Sequence, residues 1–157
     1  MLRRLTCTAL VGAMLLAATG CQSNPYAADT WIEKLDDSNE AERAVAELEH
    51  LGDPKAIPAL GKAWENSGCT QRIYQVMIDL AHPLTPAEAE KGNFVDLAQS
   101  GRKASWDDAL PFLTEALGSG GKCAFDEASP RSLENAGKAA DALGDAQTDA
   151  ALQALID

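Results

Sequence analysis

Four cysteines and two histidines are the side chains here with the most to offer chemically, and their spacing decides how much. Cys7 and Cys21 lie near the start. Cys69 and Cys123 lie 54 positions apart, in "ENSGCTQ" and "GSGGKCAF", each beside glycines that let the backbone bend toward a partner. His50 and His82 are 32 apart and neither has a cysteine at zinc-like spacing, which disfavours a metal centre. The acidic run "DDSNEAE" from Asp36 has carboxylates for calcium, but it lacks the glycine at the sixth position and the bidentate glutamate of an EF-hand loop. Acid placement at the start of a helix explains it better. There is no G-x-S-x-G elbow for a nucleophilic serine, and "GSGGK" at Gly118 lacks the spacing and the preceding strand of a phosphate cradle. Carboxylates are so plentiful that a close pair would arise by chance and supports no hydrolase. The residues point to no catalytic, cofactor or metal site.

The elements that would position any of these residues start after the N-terminal stretch "MLRRLTCTALVGAMLLAATGC". It opens on Arg3 and Arg4, runs apolar over residues 5–18 and ends on small residues. That is the order of a secretory signal, and the run is too short for a spanning helix. Its ending "AATGC" resembles the lipobox of bacterial lipoproteins, with Ala18 where leucine is commoner. The resemblance implies a signal peptide at 1–20, a diacylglyceryl group on Cys21 and a flexible tether over 21–30. It places the protein in the bacterial envelope, and Gln22 rather than aspartate after the cysteine implies the outer membrane, facing the periplasm. An ordinary signal peptide with a chance cysteine is the alternative.

The whole chain of 157 residues carries a net charge of −11. Without Arg3 and Arg4, eleven basic residues of the original thirteen face 24 acidic ones, a net charge of −13. Such a surface repels phosphate backbones, which argues against nucleic acid as a partner. It also repels anionic lipid, so the acyl chains alone would hold it to a membrane.

From Glu40 a helical period is plain: Ala41, Ala44, Val45, Leu48 and Leu51 form one stripe. Gly52 suits a left-handed cap, and Asp53 and Pro54 suit the start of a second helix with stripe Ile57, Leu60, Ala63 and Trp64. Pro58 is tolerable there only in a first turn, with regular helix starting near Lys55. Shifted by 92, the first stripe meets Leu133, Ala136, Gly137, Ala140 and Leu143, and "LGD" recurs at Leu143, Gly144 and Asp145. Shifted by 53, "AIPALGKAW" meets "ALPFLTEAL", with Pro58 on Pro111. Between these copies the spacing predicts a helix over 70–81 with stripe Ile73, Val76, Met77 and Leu80, widened by Tyr74, Ile78 and Ala81. Residues 82–105 exceed what a connection needs. Thr85, Pro86 and Glu88 form a capping box there, for a short helix ending near Gly92, and "FVDLAQ" is suited to another helical turn.

One chain thus repeats a two-helix unit three times. A single hairpin cannot bury its apolar stripe, so it must stack on a neighbour with the same stripe. The segment "WIEKLDDSNEAERAVAELEHLGDPKAIPALGKAWEN" resembles a HEAT repeat of the short bacterial type also found in phycobilisome lyases. The likeness extends to residues 129–157, and to 106–117 as a second helix only. It implies an all-α domain over 31–157: a right-handed stack of antiparallel helical hairpins, a HEAT-like α-solenoid of three to four layers, interrupted by the 82–105 insertion. The arginine usual in the first helix of such repeats would fall at Ala41, so its buried bond is not supplied from there. Trp31 is expected to cap the N-terminal end and Trp64 to lie in the core.

With Cys7 in the signal and Cys21 lipidated, an even pair of cysteines remains in an oxidising compartment, which reads first as a disulfide. Both follow second helices, and equivalent loops of a stack sit at one end, so Cys69 and Cys123 are placed to meet. Two separated thiols are the alternative. For function, the HEAT resemblance implies a protein-interaction module without enzymatic activity or cofactor, a monomer whose protein partner the sequence does not identify. Its contact face would carry Lys55, Lys62, Glu65, Thr114 and Glu115 from the second helices, together with the insertion. Phe94 and Trp106 serve either as partner contacts or as anchors of that insertion. The rival readings are a lyase-type or other enzyme built on HEAT repeats, and an inert envelope spacer.

Overall fold

The computed structural model describes residues 24–84 and 102–156. Among these the protein is all-α, with seven helices, two 3₁₀ turns and one isolated antiparallel bridge. The expected signal sequence, Cys21, Phe94 and the capping box at residues 85–88 lie outside the described residues.

Helix α1 (Ala28–Ile32) runs into a 3₁₀ turn, Glu33–Asp36. It starts ahead of Trp31, so the later part of the expected 21–30 tether is folded. The cause is an Asn-Pro turn. Asn24 accepts the Tyr26 N–H on its side chain at 3.1 Å and the Ala27 N–H on its carbonyl at 3.0 Å. Trp31 is buried, donates its indole N–H to the Pro25 carbonyl at 2.8 Å, and lies under the cations of Lys34 and Arg43.

Helix α2 (Ala41–Leu51) buries Ala44, Val45 and Leu48. It ends at Gly52, whose φ of 65° lets its N–H reach back to the Leu48 carbonyl. Pro54 forbids continuation and opens a 3₁₀ turn, Pro54–Ala56, capped by the Asp53 carboxylate. Helix α3 (Ile57–Asn66) then begins with Pro58 in its first turn, where a missing N–H is harmless. Helix α4 (Gln71–Ala81) buries six residues, Tyr74, Val76, Met77, Ile78, Leu80 and Ala81. That wide stripe fits its place, for α4 touches α2, α3 and both later long helices.

Helix α5 (Trp106–Leu117) starts five residues before Pro111, so the proline that opens α3 is interior in its counterpart. Helix α6 (Pro130–Ala146) is capped by the Ser129 hydroxyl, with Pro130 in the first turn, and α7 (Asp149–Ile156) closes the described chain. α2, α4 and α6 pack in sequence, α3 packs beside α5, and α6 packs against both α5 and α7.

Two expectations for α6 need correction. Its buried residues are Asn135, Ala136, Ala139, Ala142 and Leu143, whereas Leu133 is half exposed and Gly137 exposed. The buried face therefore sits 91 positions from that of α2, not 92. Asn135 fixes this register by turning inward to donate to the Cys69 carbonyl at 3.1 Å. The second "LGD" is also no turn: no proline follows Gly144, so the helix continues to Ala146 and stops at Gln147, which has a φ of 48°. Thr148 then accepts the Ala151 N–H as a side-chain cap for α7.

Candidate functional site

The connections between helices gather at two ends of the molecule. At one, the C-terminal turns of α2 and α4 present carbonyls that no following turn of helix can satisfy. Arg102 answers them from the far root of the insertion and is itself buried. Its guanidinium donates to the carbonyls of His82 at 3.1 Å, Gly52 at 2.9 Å and Asp79 at 2.6 Å. A planar fork of donors suits several divergent acceptors, and its positive charge meets the negative ends of two helices. The Arg102 backbone pairs with Leu84 in both directions, at 2.9 and 3.1 Å, which brings the two roots of the insertion together.

Trp106 belongs to this end, and its role as a partner contact is corrected. It is 6% exposed, because α5 starts on it and turns it into the core. The His82 ring covers its edge at 4.5 Å between centroids. Trp106 thus anchors the base of the insertion. Nothing in the sequence singled out Arg102, which sits in a segment with no apolar period.

At the opposite end Cys69 and Cys123 are bonded, with sulfurs 2.03 Å apart and Cα atoms 5.5 Å apart. Local geometry brings each there. After α3 the chain turns through Gly68 and Cys69, both left-handed at φ 72° and 63°, and the Cys69 N–H returns to the Trp64 carbonyl at 2.9 Å. α6 holds this turn twice: Arg131 donates to the Gly68 carbonyl at 2.9 Å, and Asn135 to that of Cys69. On the other strand of the bridge, the Glu115 carboxylate accepts the Cys123 N–H at 3.0 Å. Its side chain fills the space beside Gly121, where φ is 138° and a Cβ would collide with that carboxylate.

Two clefts flank the bridge. One, of about 480 Å³, is lined by both cysteines together with Lys122, Asp126, Arg131 and Asn135. The other, of about 520 Å³, is lined by Glu65, Pro111, Thr114, Glu115, Gly121 and Lys122. Three of the residues expected on a contact face, Glu65, Thr114 and Glu115, therefore share a cleft. Glu115 is committed inward to the Cys123 N–H. Lys62 is exposed on α3, three residues before Glu65. Lys55 lies apart from them in the 3₁₀ turn before α3, where it bonds Asp29 at 3.0 Å.

Behind the bridge the core holds Trp64 and Tyr74, with ring centroids 4.7 Å apart. Burial, and secondarily the Glu115 charge, hold the Tyr74 phenol well above its ordinary pKa. Among the described residues neither the Tyr74 hydroxyl nor the Trp64 indole N–H has a hydrogen-bond partner. Chemically, this end offers a reachable S–S bond, a cleft with two cations and a carboxylate, and a polar groove between two helices. No family model, curated protein or solved structure matches the chain.

Proposed function

We propose that this protein is a lipid-anchored component of a bacterial envelope and works as a protein-interaction module built on a short HEAT-like stack. The neighbouring rows of α2, α4, α6 and of α3, α5 support the layered reading. The covalent cysteine pair is in keeping with an oxidising compartment. The interaction reading is carried by one observation: Glu65 of α3 and Thr114 of α5 face a common cleft, with Lys122 on its rim. Two neighbouring helices there present one polar groove, with the exposed Lys62 on the same helix as Glu65. Diacylation of Cys21 would confine the module to a membrane plane and raise its effective concentration toward partners held in the same plane.

A photo-crosslinking residue at position 65 tests the groove in living cells, with position 141, exposed on α6, as the control. A single recurrent adduct from 65 and none from 141 is the expected result. Equal or diffuse labelling from both sites would remove the groove as a contact surface. Replacing Cys21 by serine should release the protein from membranes, and continued pelleting would refute the anchor.

A further inference from the structure

The cysteine bridge is also part of a cleft wall, and that setting gives it a chemistry beyond holding two loops. Both cysteines line the cleft; Cys69 is half-buried, while Cys123 is only 5% exposed. Lys122 and Arg131 line the same cleft with a single carboxylate, Asp126, so its charged side chains sum to one positive charge. Cys69 holds a left-handed backbone that side chains other than glycine rarely adopt. The bridge is one of the constraints that keep it there, together with the bonds to Trp64 and Asn135.

We propose that the Cys69–Cys123 bond is a thiol–disulfide exchange site for a dithiol protein, with Cys69 as the sulfur attacked from the cleft. One thiolate of the incoming dithiol attacks the Cys69 Sγ. The S–S bond breaks, and its electron pair leaves on the Cys123 Sγ, which takes a proton from solvent. The second thiol of the dithiol, deprotonated, then attacks its own partner's sulfur in the mixed disulfide. Cys69 leaves as a thiolate and is protonated in turn. The bridge gains two electrons and two protons, and the incoming protein ends as a disulfide. The cations favour thiolates both entering and leaving. Each segment keeps its own ties to the long helices, from Arg131 to Gly68, Asn135 to Cys69 and Cys123 to Glu115. Exchange therefore takes place on the folded protein and loosens the segment around Lys122, which walls both clefts.

The intact protein, without denaturant, is titrated with dithiothreitol, quenched by alkylation and followed in parallel by far-ultraviolet circular dichroism. The opening rate should rise linearly with dithiothreitol while the helical signal stays constant. A plateau at the global unfolding rate, or loss of helix in step with opening, would overturn the proposal, because the bond would then be reached only through unfolding. A CxxC oxidoreductase lacking its resolving cysteine should be trapped on Cys69, and a mixed disulfide on Cys123 would likewise overturn it. Lys122→Glu should slow the attack by a dianionic dithiol probe about threefold or more at low salt and much less at high salt, since surface charge is screened. An unchanged rate would overturn the part given to the cations.

Discussion

The two ends of this molecule solve the same problem by different means. At each, the turns that join long helices must be tied down and their polar backbone satisfied. At the insertion end a buried guanidinium supplies hydrogen bonds to carbonyls of the Gly52 cap after α2, of α4 and of the turn after α4, and an indole and an imidazole seal the base. At the other end a covalent bond holds the turns, and the polar accounting stays incomplete. The Tyr74 hydroxyl, the Trp64 indole N–H and the Asn135 side-chain Oδ1 are buried without partners among the described residues. Clefts flank the covalent end on two sides. A bond that does not depend on exclusion of water leaves its surroundings free to be open and polar, whereas hydrogen bonds from a buried cation keep their strength only where water is kept out.

This contrast breaks most readily at Arg102. Arg102→Ala removes charge-assisted bonds to three carbonyls and should cost on the order of 5 kcal/mol of unfolding free energy in denaturant titration. Arg102→Lys should recover only a small part, since one ammonium cannot copy the fork. A loss below about 1 kcal/mol would mean that water reaches those carbonyls and that the end is not closed. Next in size is the bridge itself. Cys69→Ala with Cys123→Ala opens a loop of 54 residues, worth up to about 4 kcal/mol on the chain-entropy account. Partial compensation is expected, because Arg131 and Asn135 still hold the α3–α4 turn. The measured loss should therefore fall between about 2 and 4 kcal/mol, with the helical signal retained.

Between the ends, α3 and α5 approach closely over Gly61. A Cβ there would collide with the far edge of the Phe112 ring, which lies on the bare backbone. Gly61→Ala improves helix propensity by about 1 kcal/mol, yet displacing the ring should reverse the sign and leave a net loss of about 1–2 kcal/mol. Phe112→Leu should relieve that loss in the double variant, and additivity of the two substitutions would disprove the contact. The same loss in oxidised and reduced protein would show that the middle of the molecule does not depend on which device holds the ends.

Which features the sequence disclosed follows from how local their causes are. The α2 stripe, the Gly52 cap and the helix after Thr70 rest on i, i+3, i+4 spacing and on turn chemistry within a few residues, so they were readable. The placement of loops within a repeat suggests the meeting of the cysteines and is equally compatible with separated thiols. The α6 register lies one residue from the one that the repeat spacing predicts, because an alanine-rich helix offers little contrast between faces. The decision falls to Asn135, whose partner, the Cys69 carbonyl, lies 66 positions away. Arg102 was not readable at all: its acceptors lie at the ends of two helices 20 to 50 positions away, and no local pattern marks a cation that will cap helices elsewhere. Of the expected contact residues, Glu65 and Thr114 do line a groove, Trp106 does not face solvent, and Lys55 is drawn to Asp29 by a pairing across 26 positions.

The smallest expected effect at neutral pH sharpens the contrast most. Tyr74 is fully buried behind the bridge, and its hydroxyl has no partner among the described residues, so Tyr74→Phe forfeits no hydrogen bond. At pH 7 the substitution should be neutral, or stabilising by up to about 1 kcal/mol, because a desolvated hydroxyl is removed. In alkali the outcome diverges. Burial, reinforced by Glu115, raises the folded pKa above the unfolded value of about 10. The unfolded chain therefore loses its proton first. Stability is intact below pH 10 and drains away as pH rises from there toward the folded value. Tyr74→Phe should abolish that component, giving a shallower fall in unfolding free energy above pH 10 than the unaltered protein shows. If Tyr74→Phe instead destabilises by 1 kcal/mol or more at pH 7, the hydroxyl is satisfied within the fold. The covalent end would then be as fully hydrogen-bonded as the end held by Arg102, and the difference between them would reduce to the kind of bond alone.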